Sequence, residues 1–296
     1  MRPLTATALG TFGLGAGALA WSVLEAETMF TLRHVRLPVL PRGSAPVRVL
    51  QVSDLHLVPR QLRKIAWVQR LAALEPDLVI SSGDNLASVD AVPSALAAYG
   101  DLLSFPGVFV LGSNDYFAPK PKNPARYLLP SGGRKRIVGA RLPVGDLVRG
   151  FVAAGWSDLT NARTTLKVGS HLLEFVGVDD PHIKRDRYSA VAGAPDPTAT
   201  LTVGLVHAPY RRVLDAMTLD GCSLIVAGHT HGGQLRVPGF GALVTNCDLP
   251  RQQASGLSRW GASYLHVSAG LGTSPYTPFR FACRPEATLM TLEPVA

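Results

Sequence analysis

Short apolar runs that stop abruptly at polar residues recur along this chain from about residue 47 onward. "VRVLQVSD", "DLVISSGD" and "GVFVLGSND" each read as a buried strand with a polar tip. Between them, residues 60 to 75 place Leu62, Ile65, Val68, Leu71 and Leu74 at helical spacing before Pro76, and "AVPSALAAYGDLLS" has helical composition. Strand, helix, strand, helix, strand on short links predicts right-handed crossovers and a parallel sheet covered by helices. Further strands are predicted at "KVGSHLLEFVGV", with a hairpin turn at Gly169-Ser170, and at "LTVGLVHAP", "SLIVAGHTH", "SYLHVSAG" and "ATLMTLEP". A helix from Tyr210 to Leu219 joins two of these.

Two stretches depart from this rhythm. Residues 4 to 24 carry no charge and as a helix span about 31 Å, against a hydrocarbon core of about 30 Å. Residues 1 to 27 are therefore expected to be a single-pass anchor in the cell membrane. A cleaved export signal ending at Ala18-Leu19-Ala20 is the alternative. Arg2 before the segment and Arg33, Arg36 and Arg42 after it leave the orientation open. The prolines of "LPVLPRGSAP" mark residues 28 to 46 as a linker, with the catalytic domain over 47 to 296, so a chain beginning near residue 44 is expected to fold. The second stretch, Pro119 to Arg149, holds eight basic residues, among them Arg134, Lys135 and Arg136, against the lone acid Asp146. It reads as an excursion from the sheet.

Composition narrows the classes. At 296 residues and 47% hydrophobic, the chain has apolar material for one large domain or two small ones. Cys222, Cys247 and Cys283 are odd in number and at no metal-like spacing, which argues against a disulfide framework or a zinc-thiolate site. A formal charge of +8 favours anionic partners. No basic strand or helix interleaved with aromatics is visible, which argues against a nucleic-acid partner.

The polar tips carry the chemistry. They deliver Asp54 and His56, then Asp84, then Asn114 and Asp115, then His207, then His229 and His231, and ligands of open α/β sheets gather beyond the carboxyl ends of strands. Carboxylate, imidazole and amide oxygen together suit a borderline divalent ion, Mn, Fe, Zn or Co. Gly228, Gly232 and Gly233 give the "GHTHGG" turn the backbone freedom to aim both histidines at one site.

In this order, "DLH", "GDN", "GSND", "HAP" and "GHTHGGQ" resemble the motifs of the calcineurin-like metallophosphoesterases, especially the bacterial branch with an N-terminal membrane or export segment. The resemblance spans roughly residues 47 to 293. It implies a four-layer α/β/β/α sandwich with two divalent metal ions between the sheets. One ion takes Asp54, His56 and His231, the other Asn114, His207 and His229, with Asp84 bridging both.

The third motif departs from the family's Gly-Asn-His-Asp or Gly-Asn-His-Glu. Asn114 is the ligand if one residue is inserted before it. Without a gap, Ser113 takes the ligand position and Asn114 that of the acid histidine. Either way the assisting histidine is missing, and Asp115 replaces it as acid only with a raised pKa. A leaving group that needs little protonation is expected, as in a phosphodiester or pyrophosphate attacked by metal-bound hydroxide. The loop from residue 268 to 280 offers Thr273, Ser274 and Arg280 to the substrate, and the basic stretch offers Arg134 and Arg136. With the apolar N-terminus these suggest a phosphorylated small molecule or lipid, such as a lipid-linked pyrophosphate. A metal-dependent nuclease, or a metal-binding scaffold without turnover, are the alternatives.

Overall fold

The computed structural model describes residues 3–121 and 139–296; within the first helix, side chains are described from residue 15 on, Ala16 excepted. The chain opens with α1 (Pro3–Thr28) and β1 (Thr31–Leu40). It continues through β2 (Val47–Val52), α2 (Leu62–Gln69), β3 (Leu78–Ser81), α3 (Val92–Tyr99), β4 (Gly107–Phe109), the single-turn α4 (Ser113–Tyr116), α5 (Val144–Ala153) and β5 (Ser157–Asp158). The hairpin of β6 (Ala162–Val168) and β7 (His171–Gly177) leads to β8 (Leu201–Leu205), α6 (Arg211–Leu219) and β9 (Leu224–Ala227). A small pair, β10 (Arg236–Val237) and β11 (Gly241–Ala242), precedes the hairpin of β12 (Gly256–Trp260) and β13 (Ser263–Val267), and β14 (Glu286–Pro294) closes the fold.

The long strands form two mixed sheets, ordered β1-β14-β2-β3-β4-β5 and β12-β13-β9-β8-β7-β6. Their inner faces share one core, in which Leu37, Val49, Ile80 and Met290 of the first sheet meet Phe175, Val203 and Val226 of the second. Outside the first sheet, Val68 of α2, Ala95 and Tyr99 of α3 and Phe151 of α5 pack in a second cluster. Outside the other, Val213, Leu214 and Met217 of α6 pack on Val176, Ile225 and Leu265. This is the expected α/β/β/α layering. Helices α2 and α3 have eight residues each, too few to persist alone. Burial at roughly 1.5–3 kcal/mol per large apolar side chain holds them in place.

Three stretches differ from the sequence reading. Residues 31–40, expected within the 28–46 linker, pair in parallel with β14 from Thr31 to Leu40, and Leu37 and Leu40 are buried. Pro38 suggests a breaker in sequence, but an edge strand tolerates proline, which has no N–H to give a ladder. The ladder shifts register between Pro38 and Leu40. The break falls at residues 41–46. The basic excursion ends in α5, whose Leu147 and Phe151 are fully buried; Arg134, Lys135 and Arg136 lie outside the described residues.

The third concerns the N-terminal segment, whose last turns are tied to the catalytic domain. Ser22, Glu25 and Ala26 are buried. The Glu25 carboxylate accepts the N–H groups of Ala282 (3.1 Å) and Cys283 (2.6 Å), and the Ser22 carbonyl accepts the N–H of Arg280 at 2.9 Å. A chain beginning near residue 44 would lose both this seam and β1. Among the described residues no helix is long and apolar enough to cross a membrane.

Candidate metal centre

Parallel strands from both sheets end at one place. Just beyond β2 lie Asp54 and His56, beyond β3 Asp84, beyond β4 Asn114, beyond β8 His207 and beyond β9 His229 and His231. Their backbones are unusual. Asp54, His56, Asp84, His229 and His231 all have positive φ, from 43° to 70°, a region that costs a non-glycine residue on the order of 1 kcal/mol or more. Cross-links between the loops impose it. The N–H of Asp54 donates to the Gly83 carbonyl (2.9 Å), that of His56 to Asp84 (3.0 Å), and that of Gly272 to the Asp54 carbonyl (2.6 Å). Strain gathered on the same residues that carry ligand chemistry marks a functional site. Two glycines are required by close approach. A Cβ on Gly112 would meet the Asp84 carboxylate and stand 2.7 Å from His207 Nε2, and one on Gly270 (φ 66°) would stand 2.5 Å from the Asp54 Cβ.

The side chains form two groups that share Asp54. Asp54, His56 and His231 make one and Asp54, Asp84 and His207 the other, with ligand atoms in each within 4.8 Å of one another. Asp84 Oδ2 stands 3.4 Å from both His56 Nε2 and His207 Nε2, a bridging position. Asn114 lies on Asp84 through its N–H and its side-chain amide, both at 2.7 Å. A half-turn of that amide exchanges Nδ2 for the oxygen a cation needs. The ring orientations are set from behind. His207 Nδ1 meets the Ser82 carbonyl (2.7 Å), His231 Nδ1 the Gly272 carbonyl (3.0 Å), and His229 Nε2 the Asn246 carbonyl (3.3 Å). Such backing fixes the tautomer and aims the other nitrogen.

A cation fits this donor set. Both ring nitrogens of His56 and Nε2 of His207 are buried without a hydrogen-bond partner, which costs about 1–3 kcal/mol per group. Ligation by a divalent ion removes that cost, and the mixture of imidazole and carboxylate suits the borderline metals. The protein's own charges point the same way. Burial lowers His56 to about 4 and drives His229 and His231 well below the ordinary imidazole value, so all three are neutral lone-pair donors. Burial pushes the Asp54 carboxyl up to about 6, with His207 holding it back. Burial also opposes charge on Asp84 and His207, but their mutual attraction outweighs it, leaving Asp84 well below and His207 well above their usual values.

Other candidates stand elsewhere. Asp115 is 0% exposed. Its Oδ1 accepts the N–H groups of Asn85 (2.7 Å) and Leu86 (3.3 Å), and its Oδ2 those of Asp84 and Gly112 (both 2.9 Å). Burial pushes its carboxyl up to about 7. The donors around both oxygens nevertheless make it a strut for the Asp84 turn rather than an acid facing substrate. Arg280 is buried too. Its Nη2 donates to the carbonyls of Ala269 (2.7 Å), Gly270 (3.0 Å) and Gly272 (2.8 Å), and its Nη1 to Cys283 (3.3 Å). It braces the loop behind His231, which excludes the expected substrate contact. Thr273 is buried, and the Ser274 hydroxyl is engaged by the Tyr276 N–H at 3.4 Å. Arg134 and Arg136 lie outside the described residues.

The sequence reading missed the loop after β7. His182 sits with its ring 4.6 Å from that of His229 and its Nδ1 3.0 Å from the Tyr210 hydroxyl. Asp179 ties this loop to α4 by accepting from Tyr116 at 2.9 Å. The signal was present, since "FVGV" runs into "DDPH", a polar strand tip like the other five.

The stretch that carries these residues is similar to known proteins. The family described as "Calcineurin-like phosphoesterase" matches residues 47–233. The uncharacterised metallophosphoesterase YkuE of Bacillus subtilis is 25% identical, over 97% of this chain and 94% of its own. Phosphodiesterase YaeI of Escherichia coli is 26% identical, over 88% and 87% respectively. Among solved structures, TT1561 of Thermus thermophilus aligns over 77% of this chain and 91% of its own, with a TM-score of 0.42 at 11% identity.

Proposed function

The chain belongs to the calcineurin-like phosphoesterase family, and on that premise we propose that this metal-dependent phosphoesterase uses two divalent ions to cleave a phosphodiester or pyrophosphate bond. The observation that carries the two-ion reading is the pair of clusters joined through Asp54, with unpartnered buried nitrogens on His56 and His207. Asp54, His56 and His231 would hold one ion and His207, His229 and Asn114 the other, with Asp84 between them. When bound, such ions lower the pKa of water and neutralise charge on phosphoryl oxygens.

The protein's own residues do the rest. The neutral imidazoles of His56, His229 and His231 and the Asp84 carboxylate would accept the ions, while the Ser82, Gly272 and Asn246 carbonyls keep the rings of His207, His231 and His229 aimed. Asp115 holds the Asp84 turn through backbone N–H groups and gives no proton. His182 stands beside His229 on that flank, with its Nδ1 on the Tyr210 hydroxyl. A phosphate or activated leaving group matches a site without the family's acid histidine. The Escherichia coli relative, a phosphodiesterase by name, supports the diester reading. The uncharged stretch from residue 4 to 24 and the basic stretch from 119 to 149 support a lipid or nucleotide-linked lipid substrate at a membrane surface.

The test is Mn²⁺-dependent hydrolysis of bis(p-nitrophenyl) phosphate beside p-nitrophenyl phosphate by the full chain in neutral detergent. Diester turnover should exceed monoester turnover. Asp84→Ala should reduce it on the order of a hundredfold or more, since outer-shell partners alone are worth about 10–100-fold. Equal turnover in the Asp84→Ala protein would refute the proposal.

A further inference from the structure

A cavity of about 640 Å³ opens at the base of α1 and is lined by none of the metal-centre residues. Its size is that of a small-molecule site. Trp21 of α1, Phe281 and Pro238 form apolar parts of the wall, and Arg33, Arg236 and Arg284 bring positive charge. Two acids also face it, but both are engaged. Glu286 pairs with Arg33 at 3.1 Å and accepts the Ala269 N–H at 2.9 Å. Glu25 accepts the N–H groups of Ala282 and Cys283. Arg236 donates to a neutral partner, the Ser255 hydroxyl, at 3.2 Å. Arg284 is exposed, and among the described residues no acid pairs with either of these two arginines. Three guanidiniums against the carboxylates of Glu25 and Glu286 leave the cavity net positive, with Arg236 and Arg284 in no ion pair among the described residues, beside an apolar wall. Its surroundings are apolar as well. Trp21 and Leu24 are each 47% exposed on α1, and Val237 and Phe240 are exposed on the β10–β11 hairpin that contributes Arg236.

From this juxtaposition we propose that the cavity binds the phosphate of an anionic amphiphile, with Arg236 and Arg284 on the phosphate and the apolar portion along Trp21 and the hairpin. Guanidinium forks match phosphate oxygens, and an indole with one face exposed suits an apolar chain. The site rests on no step of the reaction, so its fate is separate from that of the metal centre.

The experiment is calorimetric titration of the full chain in neutral maltoside, stripped with chelator so that the metal centre holds no phosphate. The probes are monomeric dihexanoylphosphatidylglycerol, the zwitterionic phosphatidylcholine of the same chain length, and inorganic phosphate. The expected result is saturable binding of the phosphatidylglycerol, at least tenfold tighter than either other probe. Arg284→Ala, at an exposed position that leaves the fold untouched, and Arg236→Ala should each weaken it about tenfold, with the unfolding midpoint of the Arg284→Ala protein unchanged. Binding of phosphate as tight as that of the lipid would overturn the amphiphile and leave a plain anion site. No binding of the phosphatidylglycerol, or binding indifferent to Arg284→Ala, would overturn the proposal altogether.

Discussion

Replacing Asp115 by Asn separates a structural carboxylate from a catalytic acid. Each oxygen of Asp115 accepts two backbone N–H groups, from Asn85 and Leu86 on one side and from Asp84 and Gly112 on the other. An amide offers only one acceptor oxygen. Whichever way it turns, its NH₂ faces two buried backbone donors and leaves both without a partner. At about 1–3 kcal/mol per orphaned group the cost is about 2–6 kcal/mol, a large share of a typical total of about 5–15 kcal/mol. For a chain of this size that corresponds to a fall in the unfolding midpoint on the order of 5–15 °C. Because two of the four donors belong to Asp84 and its neighbour Asn85, the bridging carboxylate moves as well, and Mn²⁺ occupancy should fall. Calorimetric unfolding and metal counting on the Asp115→Asn protein read both effects. An Asn variant that unfolds and binds Mn²⁺ like the wild type, yet loses activity only toward esters with poor leaving groups, would restore Asp115 as the acid and refute this reasoning.

Three further outcomes follow from the same contacts. Leu37→Ala, in the strand whose Pro38 resembles part of a linker, should cost about 2–5 kcal/mol, and removal of residues 1–43 should leave no cooperative unfolding transition in calorimetry; a native-like transition would show that β1 is dispensable. Arg280→Lys cannot span four carbonyls with one ammonium and should cost on the order of 3 kcal/mol, with weaker Mn²⁺ binding on the His231 side; wild-type stability would contradict the brace. Burial works against a charged His207, yet Asp84 and Asp54 carry it well above its ordinary value, so in chelated protein it holds a proton at neutral pH. Ion binding must expel that proton, so Mn²⁺ affinity should rise with pH, by up to about tenfold per unit; affinity flat across the neutral range, with no proton release in buffers of different ionisation heat, would contradict it.

Much of this molecule could be read before its fold was described, for a reason rooted in its chemistry. Parallel strands buried on both faces appear as uninterrupted apolar runs, and their polar tips converge on one edge, so Asp54, Asp84, His207 and His229 stood out by position as well as by type. What escaped depended on contacts distant in sequence. Pro38 looks like a breaker unless β14 is known to lie beside it. Arg280 looks like a substrate clamp unless its carbonyl partners are seen, and Asp115 like an acid unless the turns at Asp84 and Gly112 are folded around it. His182 was missed although its strand tip obeys the same rule as the others. The strained backbone at the five ligand candidates left no trace in the sequence, since none of those positions is glycine.

The two-ion centre is tested most directly by electron paramagnetic resonance of the full chain loaded with Mn²⁺, with metal counted on the same sample. Two ions per chain and an exchange-coupled spectrum are predicted, collapsing to that of an isolated ion in His207→Ala. One ion per chain with an uncoupled spectrum, in wild-type protein that hydrolyses the diester, would contradict the account.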